Sequence, residues 1–175
     1  MIVAWREIQI LYIGGIKMNT RIDLSTIGVQ LHYCVETTAG TRPTTGYTRI
    51  YGIKSTPSLN PAPDTLETTT LDELEYKTYV DGLKDLGGAL EFTFNLTQDL
   101  VTKWDALMTA YETAKADGKK TWFAIVVPGL TDAFYFPGNP SAMGLPETSV
   151  NSVLEITNYI TPVGAPQKAA KPTGE

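Results

Sequence analysis

Apolar residues recur at every second position in three separate stretches of this chain but at helical spacing in only one, so its fold must be built mainly from β-strands. From Gly28 to Glu36, Val29, Leu31, Tyr33 and Val35 share one face, with Gln30, His32, Cys34 and Glu36 on the other. Ala89 to Asn95 alternates likewise: Leu90, Phe92 and Phe94 point to a core, and Glu91, Thr93 and Asn95 point away from it. A long strand is expected from about Ser149 to Thr161, its apolar side formed by Val150, Leu154, Ile156 and Ile160. Thr121 to Val127 is apolar on both faces, the pattern of a central strand covered from two sides.

The one helical period runs over about 97–117. Thr97 offers an N-cap, and Leu100, Val101, Trp104, Leu107, Met108, Tyr111 and Ala114 form a single stripe. Gly118 follows as the stop, and such a stripe is expected to face the core.

The connecting segments carry their own signals. Thr37 to Tyr47, rich in Thr and Gly, reads as a loop leading to a short β-prone run at Thr48 to Ile53 and a hairpin. Ser55 to Asp64 contains Pro57, Pro61 and Pro63, each without a backbone donor, so it should be extended and irregular. Thr65, Thr68, Thr69 and Thr70 then favour extended backbone through branching at Cβ. Together these predict a long extended loop or arm over about 55–88. Asp132 to Phe136 is expected to pair with Thr121 to Val127, and Pro137 to Pro146 reads as a Gly/Pro loop.

At 175 residues the chain suits one domain, assigned here to 18–163. Gly164 to Glu175 has too little apolar surface to offset ordering and is expected to be a disordered tail. Residues 1–17 read as a disordered translated leader. Gly14-Gly15-Ile16-Lys17 requires purine-rich codons resembling a ribosome-binding site, which makes Met18 the expected natural start.

Charge and chemistry narrow the function. Net charge is −5, concentrated between Asp64 and Asp85, where seven acids face Lys77 and Lys84. No Lys/Arg cluster is present to displace counterions from a phosphate backbone, so stable nucleic-acid binding is not expected. No apolar run reaches bilayer length, and no membrane partner is expected. Cys34 is the sole cysteine and His32 the sole histidine, two positions apart on one predicted face. They are the only pair suggesting a nucleophile and base, without an evident orienting group or oxyanion hole. The expectation is no catalytic residue, no cofactor and no metal ligand, since neither CxxC nor HxxxH spacing occurs and Asp72, Glu73 and Glu75 lack calcium-loop spacing. Gly87-Gly88 lacks the Lys and Ser/Thr of a phosphate loop.

Three stretches taken in order resemble the tail tube proteins, or major tail proteins, of long-tailed phages. The first is Leu66-Glu67-Thr68-Thr69-Thr70-Leu71-Asp72 running into Tyr79-Val80-Asp81-Gly82-Leu83-Lys84-Asp85 and the Ala89 to Asn95 strand. The second is the helix. The third is Phe123-Ala124-Ile125-Val126-Val127, then Phe134-Tyr135-Phe136-Pro137-Gly138, Gly144-Leu145-Pro146, and the strand ending near Thr161-Pro162-Val163-Gly164. The resemblance spans most of Met18 to Pro166.

It implies a β-sandwich or partly closed barrel with one flanking helix, and a non-enzymatic subunit that assembles with itself. Six copies would form a ring, and rings would stack into a hollow tube whose lumen conducts DNA as a non-sticking cargo. Further partners would be the tape measure, tip and terminator proteins. The implied location is the virion tail, after synthesis in the bacterial host cytoplasm. Leu66, Leu71, Leu74, Tyr76 and Tyr79 are the expected contacts of a self-assembly arm. Two alternatives stand beside this: a type VI secretion tube subunit, and a monomeric β-sandwich binding module using Tyr33, Tyr47, Tyr51 and Trp122 to stack a ligand.

Overall fold

A computed structural model describes residues 24–60, 63–73 and 75–172. The expected leader at 1–17 lies outside these residues. The described chain is mainly β with one helix. Its strands are β1 (Gln30–Val35), β2 (Thr48–Ile50), β3 (Ile53–Ser55), β4 (Pro63–Glu67), β5 (Tyr79–Lys84) and β6 (Leu90–Asn95). After helix α1 (Gln98–Ala116) come β7 (Thr121–Val126), β8 (Asp132–Pro140), β9 (Glu155–Pro162) and β10 (Gln167–Ala170).

The main sheet runs β2-β1-β7-β8-β9-β6-β3, with all of its pairings antiparallel. Its two end strands, β2 and β3, are consecutive in the chain and separated only by Tyr51 and Gly52. A sheet whose ends are tied so closely must curl, and the result is a partly closed barrel. Gly52 makes the crossing at φ 81°, and its carbonyl accepts from Asn95 N at 2.9 Å.

The concave face holds the larger core. Leu31 from β1, Phe92 and Phe94 from β6, Phe123 from β7, Phe136 from β8 and Ile160 from β9 meet there, all fully buried. Helix α1 lies against this face with Leu100, Trp104 and Leu107, as its period predicts. Trp104 packs edge-on against Phe94 at 5.9 Å and donates through Nε1 to Ser141 O at 3.0 Å, so its polar tip is satisfied inside the core. The N-cap is Thr97, whose hydroxyl accepts from Leu100 N at 3.2 Å. The helix ends in a Schellman motif: Gly118 N donates to Lys115 O at 3.1 Å and Lys119 N to Ala114 O at 2.8 Å, with Gly118 at φ 69°.

The convex face of β1, β7 and β8 is covered too, although alternation over residues 28–36 would leave the face of Gln30, His32, Cys34 and Glu36 to solvent. Tyr47, Trp122, Ala124, Val126, Ala133 and Tyr135 form a second apolar cluster, on which Cys34 and Ala169 pack. The 37–47 loop folds over it, placing the Arg42 guanidinium 4.2 Å from the Tyr135 ring centre. Consequently His32 and Glu36 are buried rather than turned to solvent.

Three further expectations are corrected. Gly164 to Glu175 is not wholly a disordered tail, because Gln167–Ala170 pairs with β8 and Ala170 O accepts from Tyr135 Oη at 2.6 Å. Backbone ladder bonds hold this short strand where apolar content alone would not. Pro137 to Pro140 belongs to β8, which leaves β7 after Pro137 and continues along β9 from Gly138. Pro137 keeps a ladder role as an acceptor, from Val163 N at 2.9 Å. Finally, β9 begins at Glu155 rather than Ser149, and Val150 and Val153 are exposed.

Candidate functional site

No three His, Cys, Asp or Glu side chains converge to hold a metal among the described residues, and no described helix is long and apolar enough to cross a membrane. His32 and Cys34 share a face but do not engage each other. The His32 ring meets Gln30 Oε1 at 2.9 Å, while Cys34 Sγ points to the carbonyls of Val35 at 3.5 Å and Thr45 at 3.6 Å. Burial pushes the Cys34 thiol above its ordinary value, outweighing the hydrogen bond to Val35, so the reactive thiolate is suppressed. Nor do Tyr33, Tyr47, Tyr51 and Trp122 form a stacking platform. Tyr33 is buried in the concave core and Tyr47 and Trp122 in the convex one, while Tyr51 stands apart beneath Arg49.

The most unusual surface is the β4–β5 hairpin. It forms a separate two-stranded sheet and makes no substantial packing against any other described strand or helix. A hairpin without a third strand or a helix beneath it is marginally stable in water. This one is held by polar bonds around its tip. Thr68 N donates to Thr78 O at 2.9 Å, Thr78 N to Thr69 Oγ1 at 3.1 Å, and Thr78 Oγ1 to Glu73 Oε2 at 3.0 Å. Lys77 pairs with Glu67 at 3.0 Å, an exposed contact that adds little. At the base the register shifts between Pro63 and Thr65, where Gly82 passes Asp64 so closely that a Cβ would lie 3.0 Å from Asp64 O. A side chain there would have to push Asp64 back by a few tenths of an ångström.

What this hairpin presents is apolar. Leu66 and Val80 are register partners and both are exposed; Tyr79, opposite Glu67, is exposed on the other face. Leu71 at the tip is 101 % exposed, Tyr76 81 % and Leu83 85 %. Of the five residues expected in an assembly arm, Leu66, Leu71, Tyr76 and Tyr79 therefore sit on one projecting element with their side chains in water. Leu74 lies outside the described residues. Sequence reasoning passed over Val80 and Leu83, because Tyr79-Val80-Asp81-Gly82-Leu83 shows no regular alternation that would single them out. Asp64, Glu67, Asp72, Glu73, Glu75, Asp81 and Asp85 surround these groups, against Lys77 and Lys84. Apolar side chains in an acidic surround on an otherwise unsupported hairpin are suited to docking on another macromolecule, not to bond chemistry.

The fold and this surface define a curled antiparallel β protein with a separate hairpin that exposes large apolar side chains. No family model matches the chain, and no curated protein matches it. Among solved structures, it is similar to a chain in the cryo-EM structure of the anti-feeding prophage (AFP) baseplate, 6-fold symmetrised. The identity is 9 % and the TM-score 0.49, over 81 % of this chain and 92 % of that one. A likeness at that level assigns this protein neither a family nor a function.

Proposed function

We propose that this protein is a structural subunit of a phage tail tube. Its copies assemble into hexameric rings that stack around a lumen for DNA, and the β4–β5 hairpin is the arm joining one copy to the next. The observation that carries the reading is the hairpin itself, whose large apolar side chains are exposed on both faces while the barrel behind it has a complete core. Water disfavours such a surface, and covering it by a second copy removes the penalty. The ordered motifs that resemble tail tube proteins add the choice of assembly. The acidic balance of the chain suits a lumen along which DNA slides without adhering.

The test is to purify the chain from Met18, concentrate it and examine it by negative-stain electron microscopy. Rings or hollow tubes are expected. Deleting Leu66 to Tyr79 should leave a folded monomer, seen as an unchanged cooperative melt, that forms neither. Monodisperse monomers of the intact chain at every concentration, or tubes from the deletion variant, refute the assembly role of the arm.

A further inference from the structure

Large exposed apolar side chains gather in a second place, the 141–154 segment between β8 and β9. Leu145 is 90 % exposed, Val150 91 % and Val153 70 %. This segment is anchored rather than loose. Ser141 N donates to Tyr159 O at 2.9 Å, Ser141 O accepts from the Trp104 ring, and Met143 packs on the concave core. At the far end Leu154 O accepts from Leu96 N at 2.9 Å. Between these anchors a turn closes through Ser149 Oγ and Ser152 Oγ at 2.9 Å, with Asn151 at φ 60°. Asn tolerates that left-handed conformation better than most residues, and the turn leaves Val150 and Val153 outside. Two apolar surfaces on one chain, the hairpin and this anchored segment, are thus left exposed.

Charge decides how they can meet. Two arms laid against each other would oppose seven acids with seven more, relieved by two lysines on each side. The 141–154 segment holds a single ionisable side chain, Glu147, so it meets the acidic arm with little like-charge repulsion. We infer that the arm of one copy docks on the 141–154 turn of the next, the exposed Leu71 and Tyr76 of its tip covering Val150 and Val153. This rests on the arm being the assembly element and goes further, since it fixes the acceptor and makes the contact heterologous. Two different surfaces then meet at each joint, so an open chain of copies always keeps one turn free at one end and one arm free at the other. Such a contact propagates and closes into a ring when the rotation between copies allows, whereas an arm-to-arm contact would end at a pair.

The experiment uses two variants of the full chain, Leu71→Asp with Tyr76→Asp in the arm and Val150→Asp with Val153→Asp in the turn. All four positions are exposed, so both variants should melt as the parent does. Each alone is expected to remain monomeric at concentrations where the parent assembles. Mixed in equal amounts, they should form a discrete heterodimer, seen by light scattering as a doubling of mass, because the intact arm of one meets the intact turn of the other. A mixture that stays monomeric, or a turn variant that assembles like the parent, overturns the proposed acceptor and leaves the arm's role standing. An arm variant that assembles like the parent refutes the arm reading itself.

Discussion

Replacing Glu36 by alanine tests the pin that holds the 37–47 loop to the sheet. The side chain is 2 % exposed, and its carboxylate accepts three hydrogen bonds. They come from Gly40 N at 2.9 Å, Lys120 N at 3.0 Å and the Trp122 ring Nε1 at 2.9 Å. Hydrogen bonds to a charged group contribute roughly 1.5–3 kcal/mol each, and an orphaned buried donor costs about 1–3 kcal/mol. Gly40 and Lys120 are exposed and can turn their N–H groups to water, whereas the buried Trp122 ring cannot. The expected loss is therefore near one full orphan plus two discounted bonds, about 4 kcal/mol in all. For a domain of this size that lowers Tm by roughly 8–16 °C.

Glu36→Gln should fall between, because its amide can accept from the two backbone donors only by turning an NH2 toward the Trp122 ring N–H. Adding Trp122→Phe to that variant removes the conflict, so the double variant should lose less than the sum of the single losses. The pH dependence has a definite sign. Burial raises the Glu36 carboxyl, but the hydrogen bonds from Trp122, Lys120 and Gly40, together with the Lys120 charge, outweigh it and hold the group below its ordinary value. A folded value below the unfolded one, about 4.3 for Glu, gives stability that is complete above the unfolded value. That stability is lost as pH falls through the folded value. Thermal melts from neutral pH downward should show the gap between parent and Gln variant narrowing in the acid range. A Glu36→Ala melt within 2 °C of the parent, or a gap that ignores pH, refutes the pin.

Two other perturbations follow from the core. Trp104→Ala removes a fully buried ring, its edge contact with Phe94 and the bond to Ser141 O, and should cost about 3–5 kcal/mol in denaturant unfolding; an unchanged midpoint shows that α1 does not face the core. Gly138→Ala places a Cβ 2.6 Å from Ile160 Cγ2 and 3.3 Å from Thr161 O where β8 passes from β7 to β9. Overpacking there should cost about 1–3 kcal/mol in the same assay, and neutrality would mean the bend has room to spare.

How much of this was legible in the sequence depends on whether the deciding contact is local. The helix was readable to within a residue or two at each end, because Thr97, the apolar stripe and Gly118 act within a few turns of chain. Leu90, Phe92 and Phe94 likewise announced β6 by alternation. The burial of Glu36 was not readable, since its partner Trp122 lies far along the chain and the loop covering it carries no apolar pattern. Val150 misled for the opposite reason. It continues the alternation of Leu154 and Ile156, yet the turn at Ser149 to Ser152 sends it outward, and alternation cannot distinguish a core face from an exposed one. The stretch at 55–88 was legible as an extended element with apolar side chains; that it holds a free-standing hairpin required the pairing of β4 with β5.

The placement of that hairpin bears on folding as well as on association. It is inserted in the stretch of chain that must close when Gln30 in β1 meets Val126 in β7, a contact of high sequence separation of the kind that slows folding. Closure entropy grows only with the logarithm of loop length, so removing the fourteen residues from Leu66 to Tyr79 changes it by about 0.1 kcal/mol. The barrel is thus nearly indifferent to how long the arm is. Its reach is a free variable for the fold, open to adjustment by insertion or deletion to the span that the proposed assembly requires.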